Sequence, residues 1–233
     1  MKFHYTNLET CHTATGLVAV IDVIRAFTNA AFAFSRGAEI IYPVSGVDEA
    51  LALKRQLPNA LACGEVGGIP PEGFDFGNSP TQTDALALTG RVVVQRTGAG
   101  TQGVVRSVNA SKMVAASFVV ASATVKYIQS IQPDEVSFVV TGATYDGGAE
   151  DLACAEYLES LLCDSSTDVR HFLQRVRDSH DGQQFLNGSH PHAPITDLDH
   201  CLSVDKFNFA MPVACENGRF IMRAVRPNLI PGT

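Results

Sequence analysis

Tryptophan is missing from the 233 residues, and so is any apolar run near the roughly 20 residues that a bilayer span needs. The nearest candidate, Met113 to Val125, is interrupted by Ser117, Ser122 and Thr124, so no membrane partner is expected. The opening Met1-Lys2-Phe3-His4-Tyr5-Thr6-Asn7 holds no apolar export segment, which makes the cytoplasm the expected compartment. Cysteines at Cys-x-x-Cys spacing are absent too. The six thiols at 11, 63, 154, 163, 201 and 215 have mostly small or apolar neighbours and are expected to be reduced and buried. A basic excess is lacking: the formal charge is −7, which argues against a general nucleic-acid or membrane-surface binder.

One further absence is local. No Asp or Glu occurs between Asp84 and Asp134, yet Arg91, Arg96, Arg106, Lys112 and Lys126 all do. Inside that stretch lies Thr97-Gly98-Ala99-Gly100-Thr101-Gln102-Gly103. A positive field around a loop of exposed N–H groups suits an anion.

What is present reads as alternating strand and helix. Gly16 to Ile21 is a short, β-branched apolar run ending at Asp22, which predicts a buried strand. Ala26 to Arg36 predicts a helix with Gly37 at its end, Glu39 to Val44 a strand, Val47 to Gln56 a helix and Ala60 to Cys63 a strand. Strands at 91–95, 112–116 and 135–140 follow, with helices at about 119–131 and 149–163. The charged segment 167–186 predicts a helical surface excursion, and 207–213 with 219–225 predict paired strands around the turn signal Glu216-Asn217-Gly218. The expected class is α/β: layered α/β/α with a mostly parallel or mixed sheet. Residues 1–233 are expected to form one domain, with two closely packed α/β halves breaking near 105–112 as the alternative.

Polar clusters follow the ends of the predicted buried strands, where open α/β sheets bind ligands. After the first come Asp22, Arg25 and Thr28. Asp22 and Thr28 also suit N-caps, and Arg25 calls for a phosphate or a carboxylate, with Asp22 or Asp75 as internal candidates. After the third, residues 64–80 carry five glycines and three prolines, and from that frame hang Glu65, Asp75, Asn78 and Ser79. Hard divalent cations take oxygen ligands and need few of them from protein. Gly98-Ala99-Gly100-Thr101-Gln102-Gly103 matches the dinucleotide fingerprint but lacks the acid about 20 residues on that a ribose requires. A phosphate or sulfonate cradle built from N–H groups and the Thr97 and Thr101 hydroxyls survives, and an NADP-type site using Lys112 or Arg106 stays open. The last cluster is Thr141 to Asp151, including Asp146, Glu150 and Asp151; acids there also suit a helix start. His190 and His192, beside Asp197 and Asp199, lack zinc spacing. No Walker lysine, no Cys with Arg six positions later and no Gly-x-Ser-x-Gly elbow occurs.

Ile21-Asp22-Val23-Ile24-Arg25-Ala26, Gly64-Glu65 with Glu72-Gly73-Phe74-Asp75-Phe76-Gly77-Asn78-Ser79-Pro80, Arg96 to Gly103 and Glu150-Asp151 together resemble the 2-phosphosulfolactate phosphatase family, in family order and over most of the chain. Asp205-Lys206-Phe207-Asn208-Phe209 is similar to its C-terminal pattern. The chain departs from many members at Phe27, where they carry Thr, and at Thr97 to Thr101, where they carry Thr-Thr-Asn-Gly-Thr. The resemblance implies an α/β fold of the family's own and a Mg²⁺-dependent phosphatase acting on (R)-2-phospho-3-sulfolactate, in archaea a step of coenzyme M synthesis. On that reading Asp22, Glu65, Asp75, Glu150 and Asp151 supply metal ligands, and Asp22, Arg25, Glu65 and Asp75 the catalytic groups, with Glu65 or Asp75 as proton acceptor. Thr28, Asn78, Ser79, Arg96, Thr97, Gly98, Gly100 and Thr101 would bind substrate, Arg96 meeting the sulfonate. The partner expected is a small phosphorylated, optionally sulfonated acid, and a homodimer stays open. The competing readings are an NADP-type enzyme and a non-catalytic anion-binding protein.

Overall fold

A computed structural model describes residues 1–142, 148–163, 167–188, 192 and 194–227. Its frame is one nine-stranded sheet of order β1-β7-β2-β6-β8-β9-β3-β5-β4. The strands are β1 (Lys2–Asn7), β2 (Leu17–Ile21), β3 (Ile40–Pro43), β4 (Ala60–Gly64), β5 (Val92–Arg96), β6 (Lys112–Ala116), β7 (Glu135–Val140), β8 (Met211–Glu216) and β9 (Arg219–Met222). Strands β1, β7, β2 and β6 pair in parallel, as do β3, β5 and β4. The β8–β9 hairpin joins the two sets, antiparallel to β6 on one side and to β3 on the other. The mixed, mostly parallel α/β sheet expected from the alternation is what the chain forms.

Local sequence accounts for the frame. All five residues of β2 are buried, as an apolar run in a sheet covered on both faces must be. The hairpin turns at Asn217 and Gly218, whose φ of 52° and 76° are what a two-residue primed turn demands. Among the described residues the helices are α1 (Ala26–Ser35), α2 (Val47–Gln56), α3 (Pro80–Asp84), α4 (Gly100–Arg106), α5 (Ala121–Ile131), α6 (Ala149–Leu162), α7 (Val169–Asp178), α8 (His180–Leu186) and α9 (Ile195–Cys201). None is long and apolar enough to cross a membrane.

Helix α1 fixes where the site lies. Every residue from Ala26 to Phe34 is buried, so the helix has no solvent face. It packs in one cluster with Val18 and Val20 of β2, Ile41 of β3, Val93 of β5 and Met113 of β6, and so draws on both parallel sets. A second cluster on the other face joins Leu17, Ala19 and Ile21 to α5, α6, Phe172 and Val176 of α7, Phe185 of α8 and Leu198 of α9. Each large apolar side chain so buried contributes about 1.5–3 kcal/mol. The segment expected as a surface excursion is therefore partly core. Two thiols also differ from expectation: Cys163 and Cys215 are exposed, whereas the other four free cysteines are buried.

Candidate active site

Where β2 ends, the chain turns into α1 through Asp22, whose carboxylate Oδ1 accepts the Ala26 amide at 2.8 Å. Asp22 is 4% exposed. Burial, reinforced by the nearby charges of Glu65 and Asp181, pushes its carboxyl up to about 6, although amides of Ala26 and Gly100 pull the other way. Glu65 follows β4. Its two oxygens accept the amides of Gly98 and of Gly68, the latter at 2.7 Å. These residues, with Arg25, Asn78, Asp181 and Phe185, line a cleft of about 250 Å³. The strand-end residues Asp22, Arg25, Glu65 and Asn78, spread over 57 positions of sequence, are thus brought together.

The glycine loop sits between β5 and α4, and the amides of Thr97, Gly98 and Thr101 are spent inside the protein. Gly98 gives its amide to Glu65, and the backbone of Gly100 lies close enough to Asp22 to favour its ionised form. A Cβ on Gly100 would stand 2.7 Å from Asp22 Oδ2, so glycine lets the carboxylate lie against the helix start. Thr97 and Thr101 spend their hydroxyls on each other's backbone: the Thr97 amide donates to Thr101 Oγ1 at 2.9 Å, and the Thr101 amide to Thr97 Oγ1 at 3.1 Å. Arg96 donates to the carbonyls of Glu65 (2.6 Å) and Ser45 (3.2 Å), buttressing the Glu65 turn from behind. The expected cradle is a loop that positions two carboxylates.

Arg25 is 6% exposed, and its partner is neither of the expected acids. Its Nη1 donates to Asp197 Oδ2 at 2.7 Å and to the His192 carbonyl at 2.8 Å, while the Phe185 ring lies 5.2 Å beneath its guanidinium carbon. Asp197 Oδ1 accepts the Ser79 hydroxyl at 2.8 Å and the Thr81 amide at 2.9 Å. Ser79 also caps α3 through the Gln82 amide, so its hydroxyl is occupied inside the protein. Asn78, beside it, is buried, and its Oδ1 has no hydrogen-bond partner among the described residues.

Other expected site residues lie elsewhere. Asp75 accepts the Ala62 amide and pairs with Lys54, both at 2.7 Å, and it does not line the cleft. Of the two carboxylates offered as proton acceptor, only Glu65 reaches the cleft. Thr28, inside α1, donates to the Val23 carbonyl at 2.8 Å. Asp151, at the start of α6, accepts the amides of Val23 and Gly142, each at 2.7 Å, and holds the two strand ends rather than facing the cleft. Burial and the charges of Glu150 and Asp22 raise its carboxyl. Glu150 is buried beside it. Asp146 and His190 lie outside the described residues. Asp181 and Phe185 did not stand out in the sequence as site residues, and Asp197 did so only beside His190 and His192, in a set that lacks zinc spacing. For Asp197 the available signal was the demand of Arg25 for a carboxylate.

Among the described residues no three His, Cys, Asp or Glu side chains converge as a metal cluster. Mg²⁺ asks for less: one or two carboxylates, other oxygens and water. Asp22 and Glu65 with the orphaned Asn78 Oδ1 form an all-oxygen set of that kind on one cleft, so the residues present fit the ion.

An α/β frame that gathers carboxylates, a guanidinium and an amide oxygen at strand ends defines an enzyme-like anion site. Residues 3–214 match the family model described as 2-phosphosulpholactate phosphatase. Proteins named "Probable 2-phosphosulfolactate phosphatase" are similar over nearly the whole chain. The one from Carboxydothermus hydrogenoformans is 32% identical over 219 residues, 90% of this chain and 91% of its own. Those from Bacillus subtilis and Thermotoga maritima are 30% and 31% identical, covering 83% and 91% of this chain and 85% and 93% of theirs. The chain belongs to the 2-phosphosulfolactate phosphatase family, and with it to the phosphoric monoester hydrolases. The match supports neither the nucleotide-cofactor reading nor the non-catalytic one.

Proposed function

We propose that the chain hydrolyses the phosphate monoester of a small sulfonated acid, (R)-2-phospho-3-sulfolactate, with Mg²⁺ as cofactor. One observation carries this reading: Asp22, Arg25, Glu65 and Asn78 meet at a single cleft in a chain of this family. Asp22, Glu65 and Asn78 would hold the ion, which when bound neutralises phosphoryl oxygens and orients water. The Arg25 guanidinium binds the phosphate and follows its charge as it develops. Asp22 sits where burial disfavours its ionised form, so a cation stabilises the carboxylate that the fold strains to keep charged. The proposed compartment is the cytoplasm, and the proposed product chemistry is that of coenzyme M synthesis or a related sulfonate route.

A phosphate-release assay over a panel of phospho-acids, with and without Mg²⁺, tests the proposal. Release from phosphosulfolactate that exceeds release from phospholactate or phosphoglycerate, and stops on chelation, is expected. Metal-independent release would overturn the cofactor assignment, and equal rates on all three acids the sulfonate preference.

A further inference from the structure

We propose that Asp197 is the positioning residue for the phosphate-binding guanidinium, an inference that rests on the phosphatase reading above. Asp197 is completely buried and makes three bonds, two of which serve elements flanking the cleft. Its Oδ2 takes Arg25 Nη1 at 2.7 Å, and its Oδ1 takes Ser79 Oγ and the Thr81 amide at the start of α3. Because Asn78 immediately precedes Ser79, one carboxylate sets both the guanidinium and a cleft-lining residue whose buried Oδ1 has no hydrogen-bond partner among the described residues.

The geometry leaves Arg25 half committed. Nη1 is occupied by Asp197 and the His192 carbonyl, and one face of the group lies over Phe185. Nε and Nη2 hold no protein hydrogen bond among the described residues, and Arg25 lines the cleft. A guanidinium is planar and offers its donors as a fixed fork, so anchoring one nitrogen fixes the direction of the others. A free arginine would pay rotamer entropy on each binding event; this one has paid it on folding. The cleft also holds Asp22, Glu65 and Asp181, any of which would draw an unanchored guanidinium into a pairing that competes with phosphate. Asp197 supplies a carboxylate outside the cleft that prevents this.

Asp197→Asn tests the assignment cleanly, since the amide oxygen can still serve Ser79 and Thr81 while an NH₂ group replaces the partner of Arg25. Titration with inorganic phosphate in the presence of Mg²⁺, followed by calorimetry, should show affinity weakened about tenfold or more, with KM for the phosphomonoester rising in step and kcat falling less. Thr196→Val is the control. It removes the 2.8 Å Thr81–Thr196 hydroxyl bond between the same two helices, α3 and α9, and should lower thermal stability without changing phosphate affinity. If Asp197→Asn does not fold, Asp197→Glu keeps the charge, displaces it by one methylene, and should show the same loss. Wild-type phosphate affinity in either Asp197 variant overturns the inference while leaving the phosphatase reading intact. Phosphate binding without turnover by the wild type sinks that reading alone, and no binding by the wild type sinks both.

Discussion

Two carboxylates that look alike in the sequence, Glu65 and Asp75, are separated by what their neighbours ask of them. Glu65 follows a strand end and accepts two loop amides, so its charge is fixed at the cleft wall. Asp75 closes the same loop from outside, on the Ala62 amide and the ammonium of Lys54. Removing each therefore has a different consequence. Glu65→Gln keeps size and hydrogen-bonding oxygen but loses the charge, and Mg²⁺-dependent phosphate release should fall about 100-fold or more, with the melting temperature held or raised. Asp75→Asn, by contrast, is expected to retain release within about twofold while losing on the order of 1 kcal/mol of stability, as a partly exposed ion pair would. Parallel assay and denaturant titration of the two variants read both effects. Loss of release in Asp75→Asn with unchanged stability would show that the loop rearranges to bring Asp75 into the cleft.

At the scale of elements, the sequence was legible where burial dictated pattern. The apolar runs of β2, β6 and β7 and the helix α2 sit within a residue or two of their expected bounds. Strand β1 was not legible, because it is an edge strand pairing only with β7, and its Lys2, His4 and Tyr5 are exposed. Expected strand 207–213 begins instead at Met211, since Phe207 and Phe209 turn their rings onto Phe32 and Phe34, at 5.1 and 6.1 Å. Helices α3 and α9 hold five and seven residues, too few to show a period. The glycine fingerprint was visible, but its purpose was not. Gly103 lets α4 lie against the sheet: a Cβ there would meet Val20 Cγ1 at 2.6 Å and Thr141 Cγ2 at 2.8 Å. Gly103→Ala gains about 1 kcal/mol of helix propensity and loses about 1–3 to overpacking, so net destabilisation is expected. Gly100→Ala pushes instead on Asp22 and should reduce release about tenfold or more at a smaller stability cost. Melting curves and rates for the pair check the contrast. Equal losses of both properties in both variants would refute separate roles for the two glycines.

For the molecule as a whole, the consequence of gathering buried acids at one sheet edge is a dependence on pH that a cation should reverse. Asp22 releases its proton near 3.8 when unfolded but holds it to about 6 in the fold, chiefly because it is buried. Between those values the native state binds more protons than the unfolded chain, so stability falls as pH rises through the window, and the full cost is present above about 6. Asp151, raised by the same cause, adds in the same direction. A shift of this size corresponds to about 3 kcal/mol at most, a sizeable share of the stability of an ordinary domain. The metal-free protein should accordingly melt higher at pH 5 than at pH 7.5. Mg²⁺ requires the ionised form of Asp22, so its stabilising effect should be largest above pH 6, and its apparent affinity should weaken about tenfold per unit below that. Melting curves at pH 5 and 7.5, with and without Mg²⁺, give both signs in one experiment. An increment from Mg²⁺ that is equal at the two pH values would remove Asp22 from the ion's ligands, because a carboxylate that must lose a proton to bind cannot be indifferent to their supply.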